Sequence, residues 1–143
     1  MVLLSKGAIS MTQSVFPFLM FNGDAKEALT FYSSVFKDFN LISMKENDGI
    51  VLHAIFSIKG QQIMAIDNTN GDTHHFSPAM SLFVTCANEE ELETTFTKLK
   101  HNGTVMMPLA PLPYAKKIGW IADKYGVNWQ LNLHLDKDQE PIF

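Results

Sequence analysis

A single cysteine, Cys86, in 143 residues excludes an intrachain disulfide framework and fits a reducing compartment. Positive charge is also scarce: 11 Lys plus Arg against 15 Asp plus Glu leave a formal charge of -4 and a pI of about 5.6. With no basic stripe and no Arg-rich segment, sequence-independent nucleic-acid binding lacks its electrostatic basis. No apolar run reaches membrane-spanning length. The expected setting is cytoplasmic, with neither nucleic acid nor membrane as partner. Charged residues make up 18% and hydrophobic ones 46%, the balance of an ordinary globular chain rather than a disordered one. One domain is expected, long enough to bury roughly 68–70% of its unfolded surface. What the chain does have is bulk: 11 Phe and 8 Met, the latter an adaptable filler of irregular apolar space.

Met1 to Ser10, MVLLSKGAIS, holds one Lys and an apolar patch too short for a signal peptide. Met11-Thr12-Gln13 makes a natural start, and Lys6-Gly7 is compatible with a purine-rich, ribosome-binding type of coding stretch. Residues 1–10 are therefore expected to be a translated leader or mis-set start, disordered, with the folded domain over 11–143.

Two helices are legible. Asp24-Ala25-Lys26-Glu27 has the form of a capping box, and Ala25, Ala28, Leu29, Tyr32, Val35 and Phe36 then make one apolar stripe. Asn88-Glu89-Glu90-Glu91 opens a second helix whose stripe is Leu92, Phe96 and Leu99, with three Glu at the positive end of the dipole. Gly103 stands where a left-handed C-terminal residue is wanted.

The remainder reads as strands. Val15–Phe21 precedes the first helix; Leu41–Lys45, Ile50–Ile58 and Gln62–Ile66 follow it. Ser81–Cys86 precedes the second; Thr104–Met107, Ile118–Ala122 and Asn128–Leu133 follow. Asp48-Gly49 and Lys59-Gly60 mark tight turns. Strand, helix and three strands therefore occur twice, about 14–68 and 79–135. Pro17 aligns with Ser81, Asp24 with Asn88, Glu27 with Glu91, Tyr32 with Phe96 and Val35 with Leu99, the mark of an internal duplication. Asn68–Pro78 (NTNGDTHHFSP) links the halves. Pro108–Pro113, with three prolines in six residues, is expected to be an extended loop bordering a pocket.

The stretch GWIADKYGVNWQL, Gly119–Leu131, reads as strand, tight turn, strand, with Gly126 at a position tolerating positive φ. Beyond the turn Asn128, Gln130, Asn132 and His134 fall on one face, and Val127, Trp129, Leu131, Leu133 and Leu135 on the other.

The paired βαβββ pattern resembles the vicinal-oxygen-chelate superfamily of glyoxalases, bleomycin-resistance proteins and extradiol dioxygenases. Phe18-Leu19-Met20-Phe21-Asn22-Gly23-Asp24-Ala25-Lys26-Glu27-Ala28, then Phe31-Tyr32, then Trp120…Asp123-Lys124-Tyr125-Gly126…Trp129-Gln130-Leu131 resemble its PhnB-like branch, often labelled a 3-demethylubiquinone-9 3-methyltransferase-like domain. The resemblance runs from about Val15 to Leu133. It implies an α+β fold in which two tandem βαβββ modules form a curved mixed sheet, helices outside, around a cavity. It also implies a homodimer, since members often complete their cups with strands from a partner.

Superfamily metal ligands come from the first and last strands of each module. By the resemblance those positions here are Pro17, Ala65 (or Met64, the register being open), Ser81 and Gln130. Only Gln130 is a plausible ligand, and a catalytic metal needs about three donors of suitable character. No cofactor is expected, a divalent metal being the alternative. The reading is a small-molecule-binding module for an apolar or amphipathic ligand, with Pro17, Leu19, His53, Ala65, Ser81, Phe83, Trp120, Asn128 and Gln130 as wall residues. The competing reading is a metal-dependent glyoxalase- or dioxygenase-type enzyme with His53 or Asp67 as catalytic candidates. A methyltransferase is discounted, because no Gly-rich strand-to-helix loop and no alternating βα run are present.

Each candidate has an ordinary alternative. His53 would be a partly buried histidine satisfied by a neighbour, or a pocket base. His74 and His75 are solvated loop residues before they are ligands. Cys86 is a small core hydrophobe before it is a nucleophile. Asp67 at a strand end is more often solvated, and Lys116 with Lys117 is an exposed pair or a rim for an anion.

Overall fold

A computed structural model describes residues 14–136, so the expected leader over 1–10 lies outside the described residues. The chain runs β1 (Phe18–Phe21), α1 (Ala25–Val35), β2 (Asn40–Asn47), β3 (Ile50–Ile58) and β4 (Gln61–Asp67). It then repeats the order as β5 (Leu82–Cys86), α2 (Glu89–Leu99), β6 (Thr104–Leu112), β7 (Ala115–Ala122) and β8 (Asn128–Leu133). This is the tandem βαβββ, α+β architecture expected. The chain divides into two compact units between His74 and His75, inside the polar linker. Each unit has its own four-stranded mixed sheet, ordered β1-β4-β3-β2 in the first and β5-β8-β7-β6 in the second. In each, the strand before the helix pairs parallel with the last strand and the other pairings are antiparallel.

In the first unit the whole expected stripe of α1, from Ala25 to Phe36, is buried. The helix start differs from expectation. The Asp24 side chain makes no capping hydrogen bond. Asp67, at the end of β4, does that work: its Oδ1 accepts from the N–H of Gly23 (2.9 Å) and Ala25 (3.0 Å), and its Oδ2 accepts from Val51 N–H (2.9 Å). The carboxylate satisfies one first-turn donor, Ala25, and the N–H just before the cap, and it complements the positive end of the dipole. Val51 can reach it because Leu52 is an extra residue between the pairs His53–Lys45 and Val51–Glu46, a bulge that re-aims the strand. Leu52 and His53 are both exposed as a result. The expected Asp48-Gly49 and Lys59-Gly60 turns are two-residue hairpins with positive φ at both positions (51° and 80°; 50° and 82°), the geometry that matches strand twist.

The second unit keeps its expected cap. Asn88 accepts from Glu91 N–H at 2.8 Å, and Glu91 Oε1 reaches back to Ala87 N–H at 2.9 Å. At the other end Asn102, with φ 57°, takes the left-handed position expected of Gly103. Gly103 is required for closeness instead, since a Cβ there would lie 2.5 Å from the Ala122 carbonyl oxygen. The Pro108–Pro113 stretch is also not a loop: β6 continues through Leu112. It pairs with β7 at Met107–Trp120, Ala110–Ile118 and Leu112–Ala115, so Pro108 and Pro111 fall in the register shifts of an edge strand, where no ladder donor is demanded.

Candidate functional site

Asp67 faces α1. Strand alternation therefore puts Ala65 and Ile63 on the helix side, together with their partners Leu19, Ala54 and Phe56. The opposite, open face carries the row Phe18–Met64–Ile55–Ser43 across β1, β4, β3 and β2. In the second unit Trp129 is buried with its Nε1 donating to Asp123 Oδ2 (2.9 Å), and a Cβ on Gly119 would strike Phe96 of α2. Leu131, paired with Gly119, shares that side. The open face carries the matching row Phe83–Gln130–Trp120–Met107.

The two units do not superpose at one offset. The helices match as expected, but by burial and pairing Leu19 answers to Val84 and Phe21 to Cys86, one residue further on. The turn before α1 is one residue longer, with Gly23 at φ 103°. Ala65 answers to Leu131, and Met64 to Gln130. A one-residue slip exchanges the faces of a strand. The position equivalent to Gln130 is therefore Met64 rather than Ala65, and Ser81 answers to Phe16 rather than Pro17. Leu19 (6% exposed) and Ala65 (0%) belong to the core beneath α1 and do not reach the open face.

Ser81, Phe83, Trp120, Asn128 and Gln130 do come together on one face. Gln130 Nε2 donates to Ser81 Oγ at 2.9 Å, and Trp120 Nε1 donates to Asn128 Oδ1 at 2.8 Å. Asn128 Nδ2 donates to the Gly126 carbonyl at 3.0 Å. Phe83 is 54% exposed beside Gln130. The alternation noted in the sequence also brings Asn132 to this face, 3% exposed with its Oδ1 unpartnered. It was absent from the expected wall residues although the same alternation pointed to it.

The remaining candidates are not among the residues of that face. His53 lies in the first unit, exposed at the bulge opposite Lys45. Asp67 is a buried backbone cap rather than a solvated strand end. Cys86 is buried. His74 pairs with Asp72 at 2.9 Å, and the Asp72 carboxyl is held low first by a hydrogen bond from Asn68. Lys117 turns to the helix side and bridges Glu89 and Glu93. Its hydrogen bond holds the Glu89 carboxyl below its ordinary value, and Glu89 in return raises the Lys117 ammonium.

A cleft of about 420 Å³ lies at the start of α2, lined by Asn88, Glu89, Lys116, His134 and Asp136 among others. Four of its polar groups are engaged: Asn88 caps α2, Glu89 holds Lys117 and Lys116 pairs with Asp136 at 3.7 Å. It shares no residue with the amide-bearing row. Among the described residues no three His, Cys, Asp or Glu side chains are grouped to hold a metal ion. The Phe83–Gln130–Trp120–Met107 row and its counterpart around Met64 do not supply the N, O or S donor set that a resident divalent cation needs.

The 3-demethylubiquinone-9 3-methyltransferase family matches residues 13–132. The chain belongs to that family. A PhnB protein from Bacillus cereus bearing the same description is 46% identical, with 85% of this chain and 99% of that one covered and a TM-score of 0.79. A Pseudomonas aeruginosa protein is 27% identical over 87% of this chain and 100% of its own, TM-score 0.76. A glyoxylase/bleomycin resistance protein/dioxygenase domain from Frankia sp. EAN1pec shares the fold at 17% identity and TM-score 0.67, over 88% and 100%. No curated protein matches. This PhnB-like chain thus has the vicinal-oxygen-chelate fold anticipated from its motifs. Among the described residues no helix is long and apolar enough to cross a membrane.

Proposed function

We propose that this PhnB-like chain is a small-molecule-binding protein that holds an apolar or amphipathic ligand in a cup completed by a second copy, without the superfamily's metal centre. The observation that carries the reading is the open-face row of the second unit, where Gln130 sits between Phe83 and Trp120. Apolar walls with a few convergent polar groups are the usual make-up of a small-molecule site. The metal-free part rests on donor chemistry: Phe18 and Met64 occupy the places of Phe83 and Gln130, and neither is a ligand for a hard cation. The dimer part is supported by the exposed apolar side chains Phe18, Phe83, Val105 and Met106 on strands that include sheet edges.

The methyltransferase description does not extend to the activity in this reading. The first turn of α1 is filled by the Asp67 carboxylate, and that of α2 by Asn88 and three glutamates, so neither helix presents an open anion site to a cofactor. Binding of the neutral apolar probe N-phenyl-1-naphthylamine, read by quenching of tryptophan fluorescence, together with elemental analysis of protein purified without an affinity tag, tests the proposal. Saturable quenching without stoichiometric divalent metal is expected. A tightly held metal, or micromolar binding of S-adenosylmethionine in calorimetry, overturns it.

A further inference from the structure

We propose that the Ser81–Gln130 pair selects a neutral, planar ligand carrying an amide-type edge, a C=O beside an N–H. The inference rests on the small-molecule reading above and names the chemistry of its ligand.

Gln130 gives an Nε2 hydrogen to Ser81 Oγ. The serine hydroxyl then keeps its own proton to donate, and Gln130 keeps Oε1 to accept. A donor and an acceptor therefore stand side by side on the open face, and their complement is a carbonyl next to an N–H. Neither group is charged, and the row Phe83–Gln130–Trp120–Met107 contains no charged residue, so nothing there neutralises an ionic guest. Phe83 and Trp120 flank Gln130 on the two neighbouring strands and offer ring surface to a flat ligand. Asn132, one alternation further along β8, adds an independent sign: it is 3% exposed with Oδ1 unpartnered, an acceptor for a ligand N–H. The first unit has none of this, its equivalent row being Phe18–Met64–Ile55–Ser43.

Benzamide and methyl benzoate separate the claims, since they share ring and carbonyl and differ in the N–H. Titration of the whole protein is followed by NMR at the Gln130 side-chain amide and the Trp120 indole. Benzamide is expected to bind about fivefold tighter, the effect of one neutral hydrogen bond. In Gln130→Met, which installs the residue of the first unit, both probes still bind and the preference disappears. Ser81→Ala removes the donor to the carbonyl that both probes carry, so both should weaken together and the preference should remain; if Gln130→Met does not fold, Gln130→Leu reports the loss of preference in its place. Equal affinity of the native protein for both probes overturns the amide-edge inference and leaves the apolar-binding reading standing. Binding of neither overturns both.

Discussion

At the scale of single residues, the two buried aspartates do more than their sequence positions suggest. Asp67 (4% exposed) collects three backbone N–H groups from two separate segments. Asp123, equally buried, holds Tyr125 N–H, Val127 N–H and the Trp129 indole. Unmade hydrogen bonds to a buried charge are costly, so Asp67→Ala should lower unfolding free energy by about 3 kcal/mol in urea denaturation. Asp24→Ala, which removes no cap, should change it by less than about 0.5 kcal/mol. The exposed Lys117–Glu89 pair acts differently. Glu89 has a lowered pKa when folded, so its contribution is present above the ordinary carboxylate value and lost as pH falls through the folded one. Lys117 has a raised pKa, so its contribution is complete below the ordinary lysine value and lost as pH rises through the folded one. The Tm deficit of Lys117→Met should therefore be present at neutral pH, fade as pH falls below the ordinary carboxylate range, and shrink in high salt.

At the scale of elements, the apolar stripes of both helices were legible because the helical period places burial at fixed intervals. The caps were legible only where they are local. Asn88 and Glu91 lie three residues apart and form their box, whereas the α1 start is closed by a residue from β4 that no local motif could reveal. Asn88→Ala should accordingly cost about 1 kcal/mol. Gly119→Ala should cost about 1–3 kcal/mol by overpacking, since its Cβ would lie 2.5 Å from a Phe96 ring carbon and 2.8 Å from a Leu109 methyl. Both are measured by chemical denaturation at constant m-value. The proline-rich stretch misled because proline density argues against a ladder in general, while an edge strand with shifting register places prolines where no donor is needed.

At the scale of the whole molecule, the two units repeat one scaffold while their open faces differ. The same row carries Met64 in one unit and Gln130 in the other, so polarity is concentrated in the second. If no resident metal supports the fold, dialysis against EDTA should leave Tm unchanged, and a drop of several degrees would count against the proposal. Light scattering coupled to size exclusion should give twice the 16.1 kDa chain mass at micromolar concentration, a monomer alone removing the dimer from the proposed cup.

Element type, duplication and the amide alternation of β8 were determined by the sequence, because periodicity and turn chemistry act over a few residues. Which face each first and last strand turns outward was decided by tertiary structure. A single extra residue before α1 shifts β1 so that Leu19 enters the core, and the pairing of β1 with β4 puts Met64 rather than Ala65 on the open face. Those shifts depend on pairings more than 40 residues apart, such as Leu19 with Ala65, which local patterns do not contain.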